Sequence, residues 1–528
     1  MNEISKTFMK TIKRKNLLLF VGFLILVFTV TTWYNFSEWG IMRMQGVHQW
    51  RQSVGASLAL NYYQDGMKFN EPSIHNNLSY DGFSDISVIE FPFLYYTVAI
   101  LYNIFGPHEM VFRLFNFTLL VTGLIFLMYL IYKITRDIFW SLYIPLVVLM
   151  SPMVFYYGAG FMPNPASMAM VFIAWFFIYK FIEKRESKFL YIVSFIFLLA
   201  GLTKVTSLLS LMALGATLVV FYIIDWNKWN REYPLKKLII PAILPFIGVV
   251  LWYAYVDFYA NRYGGNISAV EVRPIWGLDS ETIKATWKAI TKRWLPGYIY
   301  PYHLALAALF FLFSLFIYKR MKFLVTLLIF IFLGGLSFFF LFYKSLWHHD
   351  YYLINILAVV ILSYLVFAIW FKSNIKSKIL EIVLKAALIG IIPAALISGF
   401  KDIDNRVYGF YNDHHRKYYS GLTDIEPYLD SLGVTYDKKV ISIPDHSVNI
   451  SLYLMNRKGF TDFGYPYLSQ DDNDMDFYMA RGAEYLVVTD TSILEERKYL
   501  KPYTKELIGQ HKNVFIYNLN KDVLNNNE

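Results

Sequence analysis

Three polar stretches interrupt an otherwise apolar chain, and each carries residue types that can do chemistry. The first opens with His48-Gln49-Trp50-Arg51-Gln52, runs through Asn61-Tyr62-Tyr63-Gln64-Asp65-Gly66 and His75-Asn76-Asn77, and adds Asp81, Asp85 and Glu90-Phe91-Pro92. The second is Lys204, a charge set within apolar sequence and costly there unless it snorkels or finds a partner. The third is Trp347-His348-His349-Asp350-Tyr351-Tyr352. The turn Phe161-Met162-Pro163-Asn164-Pro165 adds an amide. Arginine and lysine can hold a phosphate, aromatic rings can stack on sugar faces, and a carboxylate can deprotonate a hydroxyl. Adjacent histidines can ligate a metal, but neighbours on a helix point about 100° apart. Hydrogen bonding to an anion or hydroxyl is the better reading of His348 and His349.

The elements that must position these residues are membrane spans. The chain has 528 residues, 56% hydrophobic and only 17% charged, below the usual quarter charged. Its apolar residues gather in runs of about 18–22, long enough to cross a hydrocarbon core of roughly 30 Å. Runs at 16–33, 109–132, 139–158, 165–182, 188–203, 206–225, 237–256, 303–318, 322–342, 351–371 and 378–398 predict a polytopic α-helical membrane protein. That makes about eleven spans. Lys10, Lys13, Arg14 and Lys15 precede the first run, which reads as an uncleaved span rather than a signal peptide. There is no cysteine, so disulfides, thiolate metal sites and cysteine nucleophiles are excluded.

Basic residues give the spans a direction. With the N-terminus cytoplasmic, the inner loops hold Lys133 and Arg136; Lys184, Arg185 and Lys188; Lys228, Arg231, Lys236 and Lys237; Lys319, Arg320 and Lys322; and Lys372, Lys376 and Lys378. The net charge of +10 is therefore a signature of topology, and no nucleic-acid partner is expected. The apolar stretch 91–105 is about 22 Å long as a helix. Counted as a span it would invert every later loop, so it is expected to lie at the outer interface.

Three outer regions result: 34–108 with interfacial helices, 259–302, and a domain over 401–528. In the second, an amphipathic helix is expected near 280–292, opened by Asp279 and Ser280. In the third, short strands at 440–443, 484–488 and 513–518, with a helix at 491–499 among the intervening helical patterns, predict a small α/β domain of about 120 residues. Pro444-Asp445-His446 at a strand end reads as a turn before a site. A polar tail closes the chain at 525–528. The polar stretches then share one outer side, above an apolar bundle that suits a lipid-linked phosphosugar.

Several segments, in order, resemble the GT-C glycosyltransferases, in particular the bacterial branch of the dolichyl-phosphate-mannose–protein mannosyltransferase and aminoarabinose-transferase superfamily. They are His48 to Gln52 with Ala59-Leu60-Asn61-Tyr62-Tyr63; Glu90-Phe91-Pro92 with Phe105-Gly106 and Arg113-Leu114; Ser151-Pro152 through Pro163; Gly201-Leu202-Thr203-Lys204; and His349-Asp350-Tyr351-Tyr352. The resemblance covers roughly 10–370. It implies an N-in bundle over 1–400 with the active site under the first outer loop. It also implies a polyprenyl-phosphate sugar donor, an extracytoplasmic acceptor (glycan, lipid or protein), membrane lipid around the bundle, and inversion at the anomeric carbon. A bacterial inner membrane is the expected setting.

The same resemblance makes Glu90, Asp85 and Asp81 candidates for the acidic role, with His48 a weaker base. It makes Arg51, Lys204 and His349 candidates for the donor phosphate, and Trp50, Gln52, Arg113, Asn164, His348 and Tyr351 further substrate contacts. Two positions depart from the family pattern: Val54 and Asn164 stand where many relatives carry acids. Valine cannot accept a proton, which leaves room for a second reading, a non-catalytic scaffold or lipid-binding subunit of an envelope assembly. No cofactor is assigned. The outer acids could hold Mg2+ or Mn2+ with the phosphate, but no compact Asp-x-Asp is present, so metal independence is expected.

Overall fold

The computed structural model describes residues 3–77, 79–88, 90–263, 272–409, 412–463 and 474–519. The tail at 525–528 and part of the second outer loop lie outside the described residues. The chain folds into two compact units. One comprises Met1–Glu38, Leu114–Trp252 and Val270–Asp404; the other comprises Trp39–Arg113, Tyr253–Ala269 and Asn405–Glu528.

The first unit is helical. Among the described residues, eight helices are long and apolar enough to cross a membrane, or up to ten if each of two bent pairs is one span. The 139–158 segment is not the single straight helix its hydropathy suggests. It breaks into Ile138–Leu149 and Pro152–Gly158, bent by 72°. Pro152 has no N–H to continue the ladder, and Ser151 caps the new helix by accepting from Val154 N at 3.2 Å. A second bend, of 96°, separates Ser280–Tyr298 from Pro301–Phe316, again at a proline. Within that pair, Asp279 caps Ser280–Ala289 as expected, by accepting from Thr282 N at 2.8 Å. The winding then changes to a π-helix over Ile290–Trp294.

Helix Lys188–Thr203 has 16 residues and ends at Lys204, whose backbone is extended at φ −157 and ψ 114. A 3-10 turn, Val205–Ser207, then leads into Leu208–Ile224. At the other end of the bundle, Asp137 caps its helix and pairs with Lys372 at 3.0 Å and Lys385 at 2.9 Å. Lys372 belongs to one of the basic loops that set the expected topology.

The second unit is mixed. Its sheet has the order β2-β1-β3-β5-β4, with β1 Lys439–Ile443, β2 Gly459–Thr461, β3 Ala483–Val488, β4 Leu507–His511 and β5 Val514–Asn518. β1 runs parallel to both β2 and β3, while β5 is antiparallel to β3 and β4. Ile441, Ile443, Phe460, Leu486 and Val488 bury one face against Met475 and Leu500. β2 and β4 have no counterpart in the sequence reading, and the 491–499 helix shrinks to Ile493–Glu496 followed by a 3-10 stretch, Lys498–Thr504.

The region over 34–108 is more ordered than its polar sequence suggests. It contains a buried helix, Gln49–Gln64, and the 13-residue helix Phe93–Phe105, about 20 Å long. Its backbone also joins the sheet: Gly459 N donates to His75 O at 2.9 Å, and Asn77 N to Gly459 O at 2.8 Å. Gly459 holds φ +150, and a Cβ there would lie 1.9 Å from Val440 O, so this edge admits only glycine.

Candidate functional site

The residues singled out from sequence fall into two clusters, one in each unit. In the mixed unit the centre is Glu90. Its Oε2 pairs with Arg51 at 2.5 Å and accepts from Tyr95 OH at 2.5 Å. Helix Gln49–Gln64 supplies the arginine and helix Phe93–Phe105 the tyrosine. Both charged side chains keep some exposure, 23% for Arg51 and 14% for Glu90. An ion-paired carboxylate with this exposure can accept a hydroxyl proton or sit beside developing positive charge.

The neighbouring acids are otherwise engaged. Asp85 pairs with Lys458 at 2.6 Å, and Lys458 also meets Asp65 at 2.8 Å. Burial pulls the Lys458 ammonium down, but Asp85 and Asp65 outweigh it and hold its pKa above the usual lysine value. Lys458 had no signal in the sequence; it enters from the C-terminal part of the chain. Asp81 sits at φ +51, and its carbonyl accepts from Arg481.

His48 also has positive φ, 55, and stands before the first turn of Gln49–Gln64 without a side-chain cap bond. Gln52 is buried and donates to Val47 O at 2.9 Å. Trp50 is exposed at 42% and meets Phe463 edge to face at 4.7 Å. Val54 is a buried apolar residue of the same helix. Arg113 is buried and donates to the carbonyls of Trp39, Gly40 and Met42 at 2.8, 2.7 and 2.8 Å. Those bonds make it a staple of the chain at 39–42.

In the helical unit the cluster gathers around the 3-10 segment Asp350–Ile356. Asp350 is fully buried, and its Oδ1 accepts from Tyr157 OH at 2.6 Å. Asn164 donates to the Tyr351 carbonyl at 3.2 Å, and its own Oδ1 is buried without a hydrogen-bond partner. Tyr351 OH meets His349 Nδ1 at 2.9 Å, and the His349 ring stacks on Tyr352 at 5.2 Å. Lys204 Nζ lies over the Tyr352 ring, 5.3 Å from its centre. His348 is exposed and stacks on Trp347 at 5.1 Å.

The structure thus brings Lys204, His349, Tyr351 and Asn164 around one segment, as it brings Arg51 to Glu90. Tyr157 and Tyr95 were missed from sequence, since each lies inside an apolar helix that reads as packing. Among the described residues, no three His, Asp or Glu side chains are grouped to hold a metal ion.

Comparison with known proteins adds a fold. Residues 90–252 match the family described as dolichyl-phosphate-mannose-protein mannosyltransferase. No curated protein sequence matches the chain. Among solved structures, the chain is similar to ArnT from Cupriavidus metallidurans in the apo state, with TM-score 0.59 and 12% identity over 95% of this chain and 98% of that one. It is similar to the same protein bound to undecaprenyl phosphate, with TM-score 0.58, 12% identity and the same coverage. It is also similar to the oligosaccharyltransferase AglB from Archaeoglobus fulgidus in complex with an inhibitory peptide and a dolichol-phosphate, with TM-score 0.51 and 11% identity over 92% and 70% of the two chains. The chain is an integral, multi-pass membrane protein of the GT-C fold with a small C-terminal sheet.

Proposed function

We propose that this GT-C-fold protein transfers a sugar from a polyprenyl-phosphate carrier to an extracytoplasmic acceptor, with inversion, in a bacterial inner membrane. Its N-terminus is cytoplasmic and its C-terminal domain, over 401–528, extracytoplasmic. The observation that carries the reading is the Arg51–Glu90 pair, a partly exposed carboxylate held by a guanidinium and a tyrosine. Glu90 is the preferred acid, because Asp85 is committed to Lys458. Lys204 and His349 are assigned to the donor phosphate, since a cation and an imidazole can both donate to phosphate oxygens. The neighbour bound to undecaprenyl phosphate and the neighbour bound to dolichol-phosphate support a lipid-linked donor. No resident metal is assigned; transfer lost in EDTA and restored by Mg2+ or Mn2+ would overturn that.

The test is transfer by the full chain in proteoliposomes, from undecaprenyl-phosphate sugars to a panel of surface glycans. Glu90→Gln is expected to abolish transfer and leave the protein folded. Full activity in that variant would remove Glu90 from the mechanism. A second reading, a non-catalytic lipid-binding subunit, is favoured by Val54 and by Asn164, whose amide is spent on a backbone carbonyl. Saturable binding of undecaprenyl phosphate with no turnover of any donor would establish it.

A further inference from the structure

In the mixed unit, β1 lies between two parallel neighbours, β2 on one side and β3 on the other. From β1 the chain goes on to β2 on one side, and from β3 to β4 and β5 on the other, so the carboxyl ends of β1 and β3 form a topological switch point, where open α/β sheets leave a crevice for ligands. Three loops meet there. After β1 comes Pro444-Asp445-His446, after β2 Asp462, and after β3 Thr489.

Asp445 is internally satisfied. It accepts from Tyr419 OH at 2.8 Å, Ser447 N at 2.8 Å, Ser451 N at 2.9 Å and Ser451 Oγ at 2.6 Å. Asp462 is not. Its side chain is 6% exposed, and Oδ1 pairs with Arg497 at 3.1 Å, but Oδ2 is buried without a partner. The Thr489 hydroxyl, on a residue 1% exposed, is likewise unpartnered. A buried polar group left without a partner is costly unless something completes it. Asp462 and Thr489 follow the strands on either side of β1, so their backbones stand about 10 Å apart, two strand spacings, a separation on the scale of one pyranose ring with a hydrogen bond at each side.

The charges argue against an ionic ligand. Arg497 neutralises Asp462, and Lys417 neutralises Asp490 at 2.8 Å. Around this floor, His446 is exposed. Trp50, 42% exposed, packs on Phe463, the residue after Asp462. A flat apolar ring beside hydroxyl-binding groups suits the apolar face of a sugar. We propose that the carboxyl ends of β2, β1 and β3 form a binding site for a neutral saccharide, with Asp462 Oδ2 and Thr489 Oγ1 engaging hydroxyls and Trp50 stacking on a ring face. As the seat of the acceptor, the site rests on the transferase reading; as a saccharide site, it rests on this geometry alone.

The test uses the full chain in nanodiscs with maltotriose, chitotriose and mannotriose, read by saturation-transfer NMR and titration. At least one is expected to bind saturably. Asp462→Asn and the nearly isosteric Thr489→Val should each raise its Kd about tenfold, and Trp50→Ala about fivefold. No binding by any of the three, or equal binding in all variants, would overturn the site. Tight binding of spermidine instead, lost in Asp462→Asn, would overturn the saccharide assignment. Lipid-linked transfer is measured in parallel. Saccharide binding without transfer sinks the transferase reading and leaves this site standing, whereas unimpaired transfer with no saccharide binding sinks the site alone.

Discussion

At the scale of residues, the chain separates carboxylates by what they are bonded to. Glu90 has a guanidinium, a tyrosine and partial exposure, whereas Asp85 and Asp65 share one lysine. Glu90→Gln is therefore expected to lower the transfer rate by about 100-fold or more, the usual scale for a lost general base. Asp85→Asn should lower it far less; equal losses would show that both acids act chemically. His75 makes a pH prediction. It is fully buried, bonded to Ser57 Oγ at 2.6 Å through Nδ1 and to Asn456 Oδ1 at 3.0 Å through Nε2. Burial pushes its pKa down from 6.5 to about 4. A group whose folded value is depressed stabilises the fold fully above its unfolded value. Stability is then lost as the pH falls from 6.5 toward 4, by about 3 kcal/mol at most. Thermal unfolding of the full chain at pH 7 and pH 5 should show this decline, and His75→Gln should flatten it. An unchanged slope in the variant would assign the decline to other groups.

At the scale of elements, helix packing yields a sharper test than hydropathy. Helices Glu109–Thr135 and Asn164–Lys184 approach so closely at Gly123 that a Cβ there would lie 2.5 Å from Ala169 Cα. Backbone cannot give way as a side chain can, so small residues permit this contact between apolar helices. Gly123→Ala is expected to destabilise the bundle by about 1–3 kcal/mol and Gly123→Leu by more. Melting in detergent reads both, and an unchanged Tm in Gly123→Leu would refute the close approach. The long apolar helices were legible because one physical demand, spanning hydrocarbon, writes itself as a continuous run. Helix Gln49–Gln64 was not. Its buried face carries Gln49, Gln52, Ser57 and Asn61, which bond to Met44 O, Val47 O, His75 and Ser73, partners that periodicity cannot reveal. β2 was hidden because it is three residues long and starts on glycine; β4 because it is half-exposed and breaks register between Leu507 and Gly509. At the candidate site, Glu90 and Arg51 could be named from type and order, but Lys458 lies more than 350 residues along the chain from Asp85.

At the scale of the whole molecule, the transferase reading requires a direction of insertion, with the polar residues on the extracytoplasmic side. That direction rests on basic loops, and one of them is tied into structure: Lys372 and Lys385 close on Asp137, the cap of helix Ile138–Leu149. A cluster of this kind is stable in water at the membrane surface and expensive inside hydrocarbon. If it is cytoplasmic, every loop two spans away is cytoplasmic too, and the sheet unit is outside. The chain has no cysteine, so single substitutions report sidedness without background. Ser187→Cys, at the cap of Lys188–Thr203, should react with a membrane-impermeant maleimide only after cells are permeabilised. Ser492→Cys, at an exposed position of the C-terminal unit, should react in intact cells. The two sites test different parts of the inference. Reversed labelling at both would invert the molecule and place the polar clusters in the cytoplasm, against a lipid-linked donor presented outside. Labelling of both from the same side would mean that an even number of spans separates them, which points to a bent helix pair or the 16-residue helix Lys188–Thr203 turning back instead of crossing.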